Sequence, residues 1–219
     1  MPTSSRPIAA VAATLLTATA LATVVSDVPA QAEPRARVVK SCTSSTGGLV
    51  VLDRDGVDYY LTGECKTLRI TADDVTVDAW FVDTLEVLGD RNTVVGSILY
   101  ENRVSGVGNT LRAGSMLDVL LDGRGHTVEV DGQLERARVR ARSSHVAADR
   151  VLQVTVRGNR NRVESRRTTT ARVHGNRNRL VHRRLASLRV DGRANVVKVS
   201  KGRTNVQVSG RRNEVPRNR

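Results

Sequence analysis

Apolar residues return along this chain in fixed columns at a period of 17 or 18 residues, not in helical stripes. With a recurrent glycine as position one, position six is Val77, Val94, Leu111, Val128, Val146, Val163, Leu180, Val197 and Val215. Position sixteen is Val87, Val104, Leu121, Val139, Val156, Val173, Val190 and Val208, once an extra residue is allowed in the two 18-residue turns. Position fourteen adds Leu85, Val119, Val154, Ala171 and Leu188. Apolar positions two apart within short β-branched runs signal strands. Between the runs stands G-x-x-N. Gly89, Gly106, Gly123, Gly158, Gly175, Gly192 and Gly210 hold the register, and Ala141 fills the one gap. Three places on come Asn92, Asn109, Asn161, Asn178, Asn195 and Asn213, with His126 and Ser144 in the other two turns. Glycine admits positive φ and asparagine tolerates it, so this tetrad reads as the turn.

Strands and turns at a constant period predict an all-β fold, a single-stranded parallel β-solenoid (β-helix) with one repeat per coil. No coil can bury its apolar face alone, so coils stack. About eight or nine coils from residue 72 to residue 219, at about 4.8 Å each, make a rod of roughly 40 Å. A hairpin sandwich or barrel also has short strands, but it needs no single register kept through every unit. The lack of a six-residue subperiod favours a right-handed coil. Stacking turns the asparagines into a ladder in which each side-chain amide bonds the next coil, so they read as scaffold.

Residues 33–71 follow the repeat poorly and read as an N-terminal cap with the first coils, because a solenoid end must protect unpaired strand edges. Val215-Pro216-Arg217-Asn218-Arg219 blunts the other end with proline and arginine. Residues 1–32 read as a secretory signal peptide. Arg6 is followed by the apolar run Ile8 to Val25 and by Ala30-Gln31-Ala32, with cleavage near Ala32. No other stretch is apolar enough to span a membrane, so the mature chain is expected to be secreted or associated with the cell envelope. Cys42 and Cys65 would then meet an oxidising space, where a disulfide is the default, contributing about 3 kcal/mol on the chain-entropy model. Two cysteines without a nearby histidine make a poor zinc site, and no metal or cofactor is expected.

The hexapeptides Gly89-Asp90-Arg91-Asn92-Thr93-Val94, Gly106-Val107-Gly108-Asn109-Thr110-Leu111, Gly158-Asn159-Arg160-Asn161-Arg162-Val163 and Gly175-Asn176-Arg177-Asn178-Arg179-Leu180 carry a resemblance. An exported chain with G-x-x-N-x-V at short period resembles the actinobacterial proteins grouped as domain of unknown function family 3060. The resemblance covers about two thirds of the chain and implies a β-helical fold and a cell-envelope setting. It implies no activity. The arginine-rich C-terminal half departs from the gly- and asn-rich, charge-poor pattern expected of such proteins.

Charge then changes the picture. The formal net charge of +13 hides an asymmetry. Residues 33–132 carry 10 Lys+Arg against 16 Asp+Glu, and residues 133–219 carry 24 against 5. In the repeat frame the basic residues align. Positions three and five give Arg160 with Arg162 and Arg177 with Arg179. Positions nine and ten give Arg166-Arg167, Arg183-Arg184 and Lys201. Like charges on adjacent coils repel by about 1 kcal/mol per close pair even in water, so such columns either splay into solvent or are bridged by anions. The arginine fork suits phosphate and carboxylate. The expected partner is an anionic polysaccharide or an anionic lipid surface; the alternative is an inert envelope protein with a solvated basic face. Nucleic acid is disfavoured, because the basic half lacks stacking aromatics.

Many β-helices are polysaccharide-active enzymes, which need paired carboxylates at a defined gap. Asp73-Asp74 is the only adjacent acidic pair in the coils and lies far from the arginine columns. His145, His174 and His182 fall at different repeat positions, and His126 stands in the asparagine column. No catalytic set is assigned and a non-enzyme is expected. A threonine column (Thr76, Thr93, Thr110 and Thr127) starts an ice-binding pattern, but it gives way to His145, Arg162 and Arg179.

Overall fold

The computed structural model describes residues 35–43 and 48–216, so the signal-peptide reading and residues 217–219 lie outside the described residues. Twelve strands follow in order: β1 (Arg37–Ser41), β2 (Leu49–Leu52), β3 (Asp58–Ile70), β4 (Thr76–Val87), β5 (Thr93–Val104), β6 (Thr110–Leu121), β7 (Thr127–Val139), β8 (His145–Val156), β9 (Arg162–Val173), β10 (Arg179–Arg193), β11 (Val196–Val199) and β12 (Asn205–Arg211). Each of β4 to β9 is nearly a whole coil and pairs in parallel with the next, position upon position, as with Val77 on Val94, Val94 on Leu111 and Val146 on Val163. All strands belong to one parallel sheet. The predicted solenoid is the fold, with about ten coils.

The described part of residues 33–71, read as a cap with the first coils, holds β1, β2 and β3. β3 is a full coil in register with β4, Tyr59 on Val77 and Ile70 on Val87, with a bulge between Leu61 and Glu64 that hides the period in the sequence. β1 and β2 pair with its two halves and form the coil before it. Cys42 and Cys65 are joined in a disulfide with their Cα atoms 4.8 Å apart, stapling these two coils from inside the core.

The coil is shaped by the spacing of its inward residues. In β4 these are Val77, Ala79, Val82, Leu85 and Val87, all buried. Steps of two mark straight strand. Steps of three leave two consecutive side chains facing out, so the chain bends at positions nine–ten and twelve–thirteen; the G-x-x-N tetrad makes the remaining corner. The interior is a stack of Val, Leu, Ile and Ala, which fits the scarcity of aromatics.

At the tetrad corner the structure corrects the turn chemistry read above. The repeat glycine is needed for close approach. A Cβ at Gly175 would stand 1.8 Å from the carbonyl oxygen of Gly158 in the preceding coil, and one at Gly158 would stand 1.8 Å from that of Ala141. Neither of these glycines has positive φ, although Gly106, Gly123 and Gly210 do, as the turn reading expects. Position three takes the left-handed conformation at Asp74, Arg91, Gly108, Gly125, Ser143, Arg160, Arg177, Ala194 and Arg212. For a residue with a Cβ that conformation costs about 1–2 kcal/mol.

The asparagine ladder runs through the backbone more than from amide to amide. Asn178 Oδ1 accepts the backbone N–H of Asn161 at 2.9 Å, and its Nδ2 donates to the carbonyl of Gly158 at 2.9 Å. Asn92, Asn161 and Asn195 repeat this pattern. His126 and Ser144 fill the same place: the N–H of Asn109 donates to His126 Nδ1 at 3.3 Å, and the N–H of His126 donates to Ser144 Oγ at 3.0 Å. His126 Nε2 lies 2.6 Å from the carbonyl of Asp122, which fixes the neutral tautomer with the proton on Nε2. Burial holds its pKa below the ordinary histidine value. A second ladder lies at position two, where Asp73 Oδ1 accepts from Asp90 N–H, Asp90 Oδ1 from Val107 N–H and Asn159 Oδ1 from Asn176 N–H.

Two outcomes follow for urea unfolding. Gly175→Ala is expected to destabilise by more than about 3 kcal/mol, because backbone must separate from backbone, while Arg177→Gly is neutral or stabilising by up to about 1 kcal/mol. Equal losses in the two variants would contradict the assignment of φ strain to position three. Asn178→Ala, which strands two buried backbone groups, is expected to cost about 2–4 kcal/mol; a loss below that of an exposed-residue control would remove the ladder's structural role.

Candidate anion-binding columns

Two consecutive outward positions at the first bend give each coil a pair of solvent-facing side chains. In β9 they are Arg166 and Arg167, and in β10 Arg183 and Arg184. Register stacks Arg150 on Arg167 and Arg167 on Arg184. Lys201 continues the stack, its backbone N–H donating to the carbonyl of Arg183 at 2.8 Å. Position ten is thus cationic in four successive coils. Arg150 stands at position ten of the coil that begins at Ala141, one coil before the dibasic pairs picked out in the sequence.

Little counter-charge is present. Arg166 Nη1 pairs with Asp149 at 3.1 Å, and Arg150 donates to Gln133 at 3.4 Å. Among the described residues no hydrogen bond or ion pair engages the side chains of Arg167, Arg183 and Arg184. These guanidiniums are exposed and rim, with Asp149, Arg150 and Arg166, a depression of about 170 Å³. Coils are held at the sheet spacing of about 4.8 Å, so the cations cannot separate along the axis. An oxyanion between two of them would relieve repulsion and accept charge-assisted hydrogen bonds from both.

The other four predicted arginines stand elsewhere. Arg160 and Arg177 occupy the left-handed position of the tetrad corner, and Arg162 and Arg179 stack two residues on. Glu164 neutralises part of this stripe by pairing with Arg162, and it lies 3.7 Å from His145. The eight candidates therefore form two stripes, and only the stripe at positions nine and ten is largely free of acid. Arg136 and Arg138, on another face, are both bound to the buried Asp118.

His182, read as unconnected to the other histidines, meets different partners. It points inward at position eight, where other coils carry Ala79, Ala113 or Val130. Its Nδ1 lies 2.7 Å from Ser165 Oγ and 3.1 Å from Thr168 Oγ1, and those two hydroxyls are 2.6 Å apart. A serine beside an imidazole has the outline of a nucleophile and its base. The rest of the arrangement opposes that chemistry. Nε2 is buried without a partner, so no carboxylate orients the ring. Burial pushes the pKa down to about 4, so the imidazolium that base catalysis must form is penalised. The trio is a polar patch in an apolar wall. Among the described residues no group of three or more His, Cys, Asp and Glu side chains is arranged to hold a metal ion.

Leu121 to Arg172 spans Arg150, Arg166, Arg167 and the first of the two 18-residue coils. These residues, 121–172, match the family model described as Protein of unknown function (DUF3060). The chain is similar to that family over this segment, in line with the resemblance carried by its G-x-x-N-x-V units, one of which, Gly158 to Val163, lies inside the match. No curated protein and no solved structure matches the chain.

His182 gives a pH prediction. Its folded pKa, about 4, lies below the unfolded value near 6.5. As pH falls below about 6.5 the unfolded chain takes up a proton that the folded chain refuses. Stability is therefore lost progressively down to about pH 4 and levels off below, by about 3 kcal/mol in all. His182→Val, which restores an apolar residue used in this column, should flatten that part of the stability profile relative to wild type. Parallel profiles would refute the assignment.

Proposed function

We propose that this chain is an exported, non-catalytic β-solenoid of the cell envelope that holds linear anionic polymers on the arginine columns of its C-terminal coils. The observation that carries this reading is the stack of Arg150, Arg167, Arg184 and Lys201 beside Arg166 and Arg183; Asp149 is the one carboxylate lining the depression between them, while Glu129, Asp131 and Glu164 line the neighbouring groove on the side of Arg166 and Arg183. A row of cations at the coil spacing complements a row of anions along the solenoid axis better than it complements a single small ion. Export is supported by the N-terminal pattern and by the Cys42–Cys65 disulfide, which suits an oxidising compartment. Among the described residues no helix is long and apolar enough to cross a membrane. The non-catalytic part rests on the chemistry of the Ser165–His182 contact: an imidazole with no orienting carboxylate is a poor base.

The test is titration of the mature protein with long-chain inorganic polyphosphate at several salt concentrations. Binding should weaken steeply with salt, with a log–log slope of about −3 if four phosphates are engaged. The variant Arg166→Ser, Arg167→Ser, Arg183→Ser, Arg184→Ser should lose most of that affinity and slope. The corresponding serine variant at Arg160, Arg162, Arg177 and Arg179 should lose much less. No wild-type binding at low salt, equal losses in the two variants, or stronger binding to anionic vesicles than to the polymer would overturn the reading.

A further inference from the structure

The bend that carries the arginines runs the length of the rod, and its composition changes along the way. In the coil of β4, positions nine and ten are Trp80 and Phe81. In β5 they are Ser97 and Ile98, and in β6 Gly114 and Ser115, with Phe81 on Ile98 and Ile98 on Ser115. Gly132 follows, so close to the chain above that a Cβ would lie 2.8 Å from the carbonyl of Gly114. Then come Arg150 and the dibasic pairs. One face therefore has an aromatic end, a middle in which Ser97, Gly114, Ser115 and Gly132 stand with Ile98, Asp131 and Gln133, and a cationic end. From Trp80 to Lys201 it extends seven coil steps, roughly 35 Å at the sheet spacing.

The aromatic end is unlike the rest of the chain. The protein has one Trp, one Phe and three Tyr, all between Tyr59 and Tyr100. Trp80 is 66% exposed and contributes little to the core, whereas the neighbouring columns are filled with Val, Leu and Ala. Phe81 packs on Tyr100 with ring centroids 5.4 Å apart, and Tyr100 is itself exposed. An exposed indole beside a tilted aromatic pair offers a broad apolar platform whose burial is left to a ligand. Asp78 and Asp83, exposed two residues before and three residues after Trp80 in the same coil, disfavour an anionic group there, and their carboxylates can accept hydrogen bonds from the hydroxyls of a neutral sugar.

The geometry points to one ligand class for the whole face: a glycan with acidic groups at intervals, laid parallel to the solenoid axis. A neutral sugar ring stacks on Trp80, and the acidic groups lie among Arg150, Arg167, Arg184 and Lys201. This rests on the polyanion reading above and narrows it. A polymer without rings uses only the cationic end. The middle supplies no charge at Ser97, Gly114, Ser115 or Gly132, and its small side chains leave room for the chain to pass. Asp149 is already paired with Arg166, and Asp131, exposed beside Gly132, faces hydroxyl groups of the intervening sugar.

Trp80 is the sole tryptophan and reports its own contacts. Hyaluronan fragments, in which a neutral amino sugar alternates with a uronate, and polyphosphate of comparable charge are the two probes. The glycan, at lengths covering roughly 35 Å, should shift the Trp80 emission, and polyphosphate should bind without shifting it. Trp80→Ala should weaken glycan binding about tenfold, with Trp80→Phe recovering part, and should leave polyphosphate binding unchanged. The four-arginine variant should lose both ligands. If Trp80→Ala leaves the glycan unaffected, or weakens both probes alike, the shared face is wrong while the polyanion reading stands. If the wild-type protein binds neither probe at low salt, both fall.

Discussion

The structure depends on how closely one coil can approach the next at the tetrad corner. There the carbonyl of one repeat glycine lies against the Cα of the next, with no room for a side chain, as at Gly158 and Gly175. The asparagine three residues on then closes the gap in the backbone ladder by accepting one N–H and donating to one carbonyl of the preceding coil. Each buried polar group left open would cost roughly 1–3 kcal/mol, and the corner recurs in every coil, so the pair of rules is repeated wherever the chain turns. Substitutes obey the same logic. His126 and Ser144 serve because each can present an acceptor to the N–H above it.

Fixed stacking has a consequence at the surface. Side chains that share a repeat position must share a column, whatever their charge. In the N-terminal coils the columns alternate in sign: Arg69 meets Glu86, Arg91 meets Asp74 and Arg112 meets Glu129, each within hydrogen-bonding distance. These exposed pairs contribute little to stability, about 0–1 kcal/mol each, but they remove repulsion. Past β7 the alternation stops and arginine stacks on arginine. Glu164 and Asp149 still pair with Arg162 and Arg166 there, but Arg167, Arg183 and Arg184 are left without a carboxylate partner among the described residues, so the unmet electrostatic demand gathers in one region.

Much of the fold was legible because it rests on periodic burial. The columns at positions six, fourteen and sixteen, the parallel coil and the disulfide partners were all readable from spacing and compartment. What was not legible depended on geometry within a coil. The purpose of Gly175 could not be separated from the usual φ argument without knowing that a neighbouring carbonyl sits over it. The left-handed residue turned out to be Arg177, a side chain with no propensity for that conformation, because the corner dictates the backbone and the side chain merely points out to solvent. The first coils were expected within residues 33–71, but the register of β3 could not be read because its bulge breaks the count. The second ladder, Asp73, Asp90 and Asn159, looked like ordinary loop polarity. His182 could be placed inside only once its position-eight neighbours were known to be core.

A coil spacing near that of any β-sheet means that a linear ligand lying along the rod would meet equivalent side chains in steps of about 4.8 Å. Point recognition gains nothing from such a ruler; a linear partner does, because each further coil adds a contact without a new fold. The contact energies are individually small at an exposed surface and screened by salt. Useful affinity must therefore come from several coils acting on one chain, where the second and later contacts are intramolecular. That favours few, identical, unneutralised side chains in a row over a single deep pocket, and it matches what stands at positions nine and ten from Arg150 onward. It also explains why the catalytic look of Ser165 and His182 leads nowhere: the pair faces the stack that holds the row straight, and a charged imidazole there would weaken the scaffold on which the row depends.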